Sequence, residues 1–294
     1  MGLLIDMEGH PLGYDLFPGN TFESNTLLEA LAALKQRFSI PKLIFIADKA
    51  ITSNKNLHRI KAAGYDYIVS ASLNNSSKKI RDEIFNSQDY QCLTVDQTTG
   101  EATFQYKVLM NHQFSYRDEQ GATQQLTDNL IITWSAERAQ RDGQKWGRQI
   151  NKAQKMMEKK TKLDANKGYQ RYIATKGAHN VAGLDEDRIA EDALWEGYYG
   201  IQASATNVDA TAVIEAYQRL WKIEESFRVL KATMRIRPIF HWTAKRIKGH
   251  FVACFMAFVL ERALIYERSN LFCIVLVLTN KINGKTIVHL LVER

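Results

Sequence analysis

Cysteine is scarce in this chain, which argues against a zinc site or a disulfide framework. Cys92, Cys254 and Cys273 are scattered along the chain, and no two of them form a C-x2-C pair. Structural zinc sites need closely spaced ligand pairs, and disulfide scaffolds need many cysteines in a short chain. We therefore predict three reduced, buried thiols in a cytoplasmic protein.

Long apolar runs and several catalytic motifs are also missing. The apolar runs at residues 251–260 and 271–278 are too short to cross a bilayer, and no basic leader precedes the first strand pattern. We therefore predict no membrane association. The sequence has no G-x4-G-K-[ST] loop, no G-x-S-x-G turn and no H-E-x-x-H helix, and these absences argue against a P-loop nucleotidase, an α/β-hydrolase and a zincin protease.

The composition is that of a soluble globular protein with a basic surface. Of the 294 residues, 45% are hydrophobic and 24% are charged, which suits one large or two modest domains. The net charge is +7 and the isoelectric point is about 9.2. A polyanionic partner is favoured, with nucleic acid ahead of an acidic membrane surface.

The order of elements predicts an α/β fold with a mixed sheet and flanking helices. Residues 2–6 and 12–17 flank a turn and predict a β-hairpin, followed by a helix to about residue 38. The continuous apolar run at residues 43–47 predicts a strand covered on both faces. A helix at 54–63 and a strand at 65–70 complete the pattern.

The second part of the chain has a different texture. We predict a linker at residues 74–79, strands at 104–110 and 130–134, and a helix at 137–160. One helix is predicted over residues 206–236 and ends at a proline, and another, apolar helix covers 251–266. The tail from residue 269 to 294 is rich in Ile, Val and Leu, with a hairpin-like break at Asn283-Gly284.

The predicted helix at 206–236 concentrates chemistry on one side. Tyr217, Glu224, Arg228 and Lys231 recur at helical intervals and share one face. An adjacent apolar set would dock on a core: Leu220, Ile223, Phe227, Leu230 and Met234. A carboxylate near a phenol and two cations suits a metal ion and a phosphate together. The alternative is an ordinary amphipathic helix with a solvated charged edge.

This spacing resembles the Y-x2-R-x3-E-x6-K signature of DDE transposases of the insertion-sequence-four type. Tyr217, Glu224 and Lys231 fall on its Tyr, Glu and Lys, whereas Leu220 stands at the Arg position. Further matches follow in the expected order: G-L-L-I-D-M-E-G-H-P-L-G-Y-D-L-F-P-G-N at 2–20, I-F-I-A-D-K-A at 44–50, W-E-G-Y-Y-G-I at 195–201, R-P-I-F-H at 237–241 and I-K-G-H at 247–250. The resemblance covers most of the chain.

The resemblance implies a domain plan and an activity. Residues 1–73 are similar to the first part of a ribonuclease-H-like core, 74–205 to a β-rich and helical insertion, and 206–268 to the return to the core; 269–294 form an atypical tail. The family implies cleavage and strand transfer of DNA with Mg²⁺ or Mn²⁺ as cofactor. The partners it implies are transposon ends and target DNA in the bacterial cytoplasm near the nucleoid, and homodimerisation is left open.

Two carboxylates are the predicted catalytic residues and metal ligands. Asp48 follows a buried strand, at the end where open α/β sheets place their ligands, and it matches the family's second Asp. Its alternative role is a turn or helix cap. Glu224 matches the final Glu. The resemblance also implies that Tyr217 and Lys231 contact phosphates at the transposon end.

The family's first catalytic Asp has no counterpart in the sequence. In these transposases, the first Asp lies on the strand just before the one that here starts at Gly2. Asp6 and Asp15 are the only nearby substitutes in this sequence. Turn and edge roles are the alternatives for both residues. We therefore predict an N-terminally truncated transposase without its first core strand. Its residues 2–6 would have unpaired backbone groups, and it would be inactive alone.

Two basic clusters are candidate DNA contacts, with solvated helix faces as the alternative. The first is a stripe along the helix at 137–160, here called the basic stripe: Arg138, Arg141, Lys145, Arg148, Lys152, Lys155 and Lys159. The second contains Arg228, Lys231, Arg235, Arg237, His241, Lys245, Arg246 and Lys248. His241 and His250 are either ligands or packed histidines.

Three functions remain open from the sequence. The first is an insertion-sequence transposase that is now incomplete. The second is a catalytically silent DNA-binding remnant, and the third is a metal-dependent nuclease of related fold. Joining of strands as well as cutting would distinguish a transposase from a nuclease.

Overall fold

The computed structural model divides the chain into two compact units. Unit 1 contains Met1–Ala71, Leu109–Leu130 and Ile201–Arg294, and unit 2 contains Ser72–Val108 and Ile131–Gly200. The structure describes residues 2–6, 9–16, 28, 32, 35–36, 43–47, 53–158, 168–176, 180–204, 209–269, 281–282 and 285–292. The architecture is mixed α/β with flanking helices and is compatible with a ribonuclease-H-like fold, as predicted.

Unit 1 begins with the predicted hairpin. Strands β1 (Gly2–Ile5) and β2 (Pro11–Asp15) pair antiparallel. The Asp6 carboxylate closes the turn, because it accepts the His10 backbone N–H at 2.8 Å and lies 2.8 Å from His10 Nδ1. Gly9 adopts a φ of +92°, which a residue with a side chain would rarely adopt. Asp6 therefore has the turn role that was the alternative to metal binding.

The core of unit 1 forms around two parallel strands, β3 (Leu43–Ala47) and β4 (Asp66–Ala71). Residues 44–47 are all buried, which confirms that β3 is covered on both faces. Helix α1 (Asn54–Ala62) packs its Leu57 and Ile60 into the same cluster. Ser53 caps this helix through its hydroxyl, which accepts the Asn56 N–H at 3.3 Å. Of the helix predicted to end near residue 38, only 28, 32, 35 and 36 are described, and they are helical.

The C-terminal segment supplies a strand inside the sheet of unit 1. Strands β11 (Lys281–Ile282) and β12 (Lys285–Val292) pair antiparallel around the predicted break. Strand β12 lies between β1 and β3, antiparallel to β1 and parallel to β3. The prediction that residues 2–6 have unpaired backbone groups is therefore wrong, because β1 is paired on both sides. The order in this unit runs β2-β1-β12-β3-β4, followed by residues of three further strands.

The predicted helix at 206–236 is two helices, α5 (Ala210–Gln218) and α6 (Leu220–Ala232). The prediction of one unbroken helix is wrong at Arg219, which has a φ of −72° and a ψ of −6° and shifts the backbone hydrogen bonding for one residue. The Lys222 N–H bonds to the Arg219 carbonyl at 3.0 Å, so the second helix starts at once. Helix α7 (Ala244–Ser269) follows and extends the predicted apolar helix at both ends.

Unit 2 contains the remaining elements, and its boundary falls within three strands. Predicted strands at 104–110 and 130–134 are confirmed within longer ones, and the predicted helix at 137–160 is confirmed as α3. The elements are α2 (Lys78–Phe85), β5 (Gln91–Val95), β6 (Ala102–Arg117), β7 (Thr123–Ser135), α3 (Ala136–Glu158), a 3-10 turn (Gly168–Tyr172), β8 (Ile173–Lys176), β9 (Asn180–Leu184), α4 (Glu186–Leu194) and β10 (Tyr198–Ala203).

The cysteines only partly follow the prediction of buried thiols. Cys92 is exposed because β5 is exposed throughout, so its predicted burial is wrong. Cys254 in unit 1 is buried, as predicted. Cys273 lies outside the described residues.

The apolar side of α3 forms the core of unit 2. Trp146, Ile150 and Met157 pack around buried Ala153, together with Tyr169 and Tyr172 from the 3-10 turn. This confirms the apolar stripe that the sequence places beside the basic one. Within the part of the chain that the structure describes, no helix is both long and apolar enough to cross a membrane.

Gly197 explains part of the W-E-G-Y-Y-G-I motif in unit 2. Its φ is +85°, and an added Cβ would lie 2.7 Å from Trp134 Nε1 and 2.9 Å from both Ala139 Cβ and the Ser135 carbonyl oxygen. The Ser135 N–H bonds to the Gly197 carbonyl at 3.1 Å. A glycine is required here because the backbone must approach the end of β7 this closely.

Candidate active site and nucleic-acid surfaces

Helix α6 holds Glu224 on a rigid, half-buried scaffold. Leu220, Ile223, Phe227 and Leu230 are buried on one side of the helix, as predicted. Glu224, Arg228 and Lys231 are exposed on the other side. The 3.6-residue period therefore sorts this helix into a core face and a charged face.

The Glu224 carboxylate is open to a ligand. It makes no hydrogen bond or ion pair with any residue that the structure describes, although Arg228 lies one turn along the helix. An exposed carboxylate without such a partner can accept a cation from solvent. Tyr217 lies on α5, on the other side of the break at Arg219, and is half-buried.

Asp48 immediately follows the buried Ala47 at the end of β3, but it lies outside the described residues. Its predicted convergence with Glu224 stays a prediction. Within the described ranges, no three His, Cys, Asp or Glu side chains form a group that could hold a metal ion. Such a group would have to include residues beyond those ranges.

Strand β12, on one side of β3, gives no third carboxylate. Strand β12 runs parallel to β3 with His289 opposite Ile46, and its eight residues include neither Asp nor Glu. The Asp6 carboxylate is occupied by the hairpin turn. Asp15 is partly buried at the end of β2, with its Cα opposite that of Gly2.

The basic stripe on α3 is exposed along most of its length. Its described members beyond Arg138 all face solvent: Arg141, Lys145, Arg148, Lys152 and Lys155. Lys159 lies outside the described residues. Two members form ion pairs within unit 2, because Arg138 Nε lies 3.7 Å from Asp142 and Arg141 lies 3.8 Å from Glu137.

Arg138 is less exposed than the other described members of the stripe. Its guanidinium lies 4.2 Å from the centre of the Tyr199 ring, a cation–π distance, and its side chain is half-buried. Arg138 therefore packs against unit 2 instead of projecting from it. With its guanidinium against Tyr199 and Asp142, Arg138 is the described member of the stripe least able to reach DNA.

The second basic cluster continues from α6 into the first turn of α7. Arg235, Arg237, Lys245, Arg246 and Lys248 are all exposed. His250 is packed, with its Nε2 3.2 Å from the Ile236 carbonyl and 3.7 Å from Cys254 Sγ. This confirms the packed alternative for His250. His241 is exposed, with its ring centre 5.9 Å from that of His250.

Two buried carboxylates were missed by sequence reasoning. In unit 1, Asp128 accepts hydrogen bonds from Lys61 Nζ at 2.7 Å, Tyr67 OH at 2.5 Å and Gln202 Nε2 at 2.7 Å. Burial, followed by the hydrogen bond to Asp128, raises the pKa of Tyr67. The signal in the sequence was an Asp two residues before the apolar run at 130–132, where the polar neighbours of Asp128 suggest a solvated position.

Asp192 is the corresponding buried carboxylate of unit 2. Arg171 pairs with both of its oxygens, and Tyr172 OH donates to it at 2.7 Å. Burial and then the hydrogen bond to Asp192 raise the pKa of Tyr172 to about 12. Both buried carboxylates are satisfied internally, so they stabilise the fold and leave no group free for a ligand.

The chain matches the family model described as the transposase DDE domain over residues 1–260. It belongs to this family. The match spans the hairpin, the strand before Asp48 and the helix that carries Glu224, and it supports a transposase function. A comparison with curated proteins found no match.

Proposed function

We propose that this chain is a DNA transposase of the insertion-sequence-four type that binds transposon ends and target DNA. The observation that carries the proposal is the family match together with the exposed Glu224, which has no partner among the described residues and lies beside Arg228 and Lys231 on one helix face. Such a face presents an oxygen ligand to a cation and two positive charges to a phosphate.

We propose Asp48 and Glu224 as ligands of Mg²⁺ or Mn²⁺. Carboxylate oxygens are the ligands that these hard cations prefer, and Glu224 has the exposure that ion binding requires. When bound, the ions would activate the attacking oxygen and stabilise negative charge on the phosphate. Tyr217, Arg228 and Lys231 would hold the phosphates in place.

We further propose that the 294-residue chain by itself holds DNA but does not cut it. Phosphodiester cleavage uses two divalent ions held side by side, and two carboxylates are too few to hold both of them in the near-octahedral geometry that Mg²⁺ demands. Neither β12 nor the occupied Asp6 offers a third. The exposed part of the basic stripe at Arg141, Lys145 and Arg148 favours DNA binding without catalysis. Arg138 would contribute least to this binding.

We also propose the domain plan that the resemblance implies and a cytoplasmic location. Residues 74–205 would be the insertion between the two parts of a ribonuclease-H-like core at 1–73 and 206–268. The insertion would carry the basic stripe and the core would carry Asp48 and Glu224. DNA binding would then survive changes to either carboxylate.

The test uses the purified chain with a panel of duplexes from the DNA that flanks its coding sequence. We expect binding that weakens at least tenfold between about 50 and 200 mM salt, because several phosphates exchange their counter-ions for protein cations. We expect neither nicking nor joining with Mg²⁺ or Mn²⁺. Cutting with joining would establish an active transposase, cutting alone would indicate a nuclease, and absence of binding would contradict the proposal.

A further inference from the structure

Two aromatic side chains project almost fully into solvent from one short loop. Phe240 is 80% exposed and Trp242 is 96% exposed, in the segment that joins α6 to α7. Large aromatic side chains usually bury most of their surface, because each offers a large apolar area. Two of them exposed within three residues mark a binding surface.

The loop is anchored at both ends, so its aromatic residues are held out by the fold. At one end Ile236 is buried, its N–H bonds to the Leu230 carbonyl at 3.1 Å, and its carbonyl lies 3.2 Å from His250 Nε2. At the other end Thr243 directly precedes α7, and its carbonyl accepts the Ile247 N–H at 2.9 Å. The exposure is therefore a property of an anchored turn.

The charge around the loop identifies the kind of partner. Residues 226–260 contain seven Lys or Arg and not one Asp or Glu. Five of these cations flank the aromatic pair and are exposed: Arg235, Arg237, Lys245, Arg246 and Lys248. A purely apolar protein partner would not need this field, whereas a phosphate backbone would be attracted to it.

Aromatic rings among cations are the chemistry that recognises unpaired nucleotides. Bases stack on exposed rings while the backbone follows the positive charge, and every base offers a π face whatever its identity. We propose that Phe240 and Trp242 form a stacking site for unpaired bases of DNA. This inference rests on the proposed function, because it assumes that the chain handles DNA.

The experiment compares two probes with the same protein. One probe is a blunt duplex, and the other is the same duplex with a single-stranded overhang that carries 2-aminopurine. We expect Phe240→Ala and Trp242→Ala each to weaken overhang binding about 5- to 150-fold, which corresponds to about 1–3 kcal/mol per stacked base. Blunt-duplex affinity should stay within about twofold. The 2-aminopurine fluorescence should be quenched by the wild-type protein and regain intensity in the variants.

Four further variants separate base stacking from apolar contact and from charge attraction. Trp242→Phe should keep most of the overhang preference, whereas Trp242→Leu, which is apolar without a π face, should lose it. Met110→Ala removes an exposed apolar side chain elsewhere in unit 1 and should change nothing. Lys245→Ala should weaken the binding of both probes and make that binding less dependent on salt, since it removes a phosphate contact.

The outcomes distinguish this inference from the proposed function. The stacking site is refuted if Trp242→Leu binds the overhang as well as the wild-type protein does. It is also refuted if the alanine variants bind both probes more weakly by the same factor. DNA binding stands in either case. Unchanged overhang binding in both alanine variants would refute the stacking site too. If the wild-type protein binds neither probe, the proposed function itself fails.

Discussion

Asp192 in unit 2 and Glu224 in unit 1 are two carboxylates that differ in burial and in their hydrogen-bond partners. The Asp192 side chain is only 6% exposed and is held by Arg171, Tyr172 and, more distantly, Arg188. Glu224 is exposed and has no partner among the described residues. The chain supplies partners for the carboxylates that it buries, so a carboxylate left without one is available to something outside the protein.

The contrast does not depend on which unit carries the residue. Asp128 lies in unit 1, as Glu224 does, and it has three hydrogen-bond donors around it. A buried carboxylate therefore needs partners whichever unit carries it, because an unpaired buried charge costs several kcal/mol and an exposed one costs little.

The largest expected effect comes from breaking the buried pair. Asp192→Asn should lower the free energy of unfolding by about 3 kcal/mol, the lower end for a broken buried ion pair, because Arg171 is 34% exposed and can regain water. Glu224→Gln should change it by no more than about 0.5 kcal/mol. Urea denaturation followed by circular dichroism measures both values, and equal effects would remove the distinction between the two carboxylates.

Two glycines in unit 2 offer a similar comparison, between a crowded backbone position and an open one. Gly197→Ala should cost about 2 kcal/mol, because the new Cβ meets Trp134 and Ala139 at a positive φ. Gly147 lies within α3 with open space around it, so Gly147→Ala should stabilise by about 0.5–1 kcal/mol. Thermal unfolding of the two variants checks the opposite signs, and a stable Gly197→Ala protein would contradict the close packing.

The basic stripe allows the same comparison for cations. Arg148→Ala should make the negative slope of log affinity against log salt shallower by about 1, because an exposed arginine releases about one counter-ion from the phosphate backbone. Arg138→Ala should leave the slope unchanged, since Tyr199 and Asp142 already engage its guanidinium. Fluorescence anisotropy over a salt series gives both slopes. A shallower slope for Arg138→Ala than for Arg148→Ala would contradict this assignment.

The smallest expected effect concerns pH and Glu196. Burial, and then the nearby Asp142 carboxylate, raise the pKa of Glu196 above its ordinary value of 4.5. The folded state therefore binds this proton more tightly than the unfolded state, and stability falls as pH rises from 4.5 through the raised pKa. Glu196→Gln should unfold at a higher urea concentration than the wild-type protein at pH 7, with the gap closing at pH 4. A gap that widens towards pH 4 would contradict this sign.

Local patterns in the sequence predicted much of the fold correctly. The hairpin at β1 and β2 follows from two segments that flank a turn, and the two-sided burial of β3 follows from a continuous apolar run. The core face of α6 follows from the period of 3.6 residues. All three patterns depend on neighbours in the chain. The break at Arg219 was missed because no proline or glycine marks it and its backbone angles remain close to helical.

Long-range features were harder to predict. The pairing of β12 with β1 and β3 joins segments at opposite ends of the chain, and no local pattern encodes that register. The partners of Asp128 likewise come from three separate elements, α1, β4 and β10. For the candidate site, helical periodicity predicted Glu224 and its exposed face, whereas the pair of Phe240 and Trp242 had no periodic signal because it lies on a loop.

The central claim is that Asp48 and Glu224 share one divalent ion, and iron-directed cleavage tests it most directly. Fe²⁺ bound in place of Mg²⁺ produces hydroxyl radicals with ascorbate and peroxide, which cut the backbone near the metal. We expect cuts near both residue 48 and residue 224, both competed away by excess Mg²⁺ and both lost in Asp48→Asn and in Glu224→Gln. Cuts near only one of the two positions, or cuts that survive either substitution, would contradict the claim.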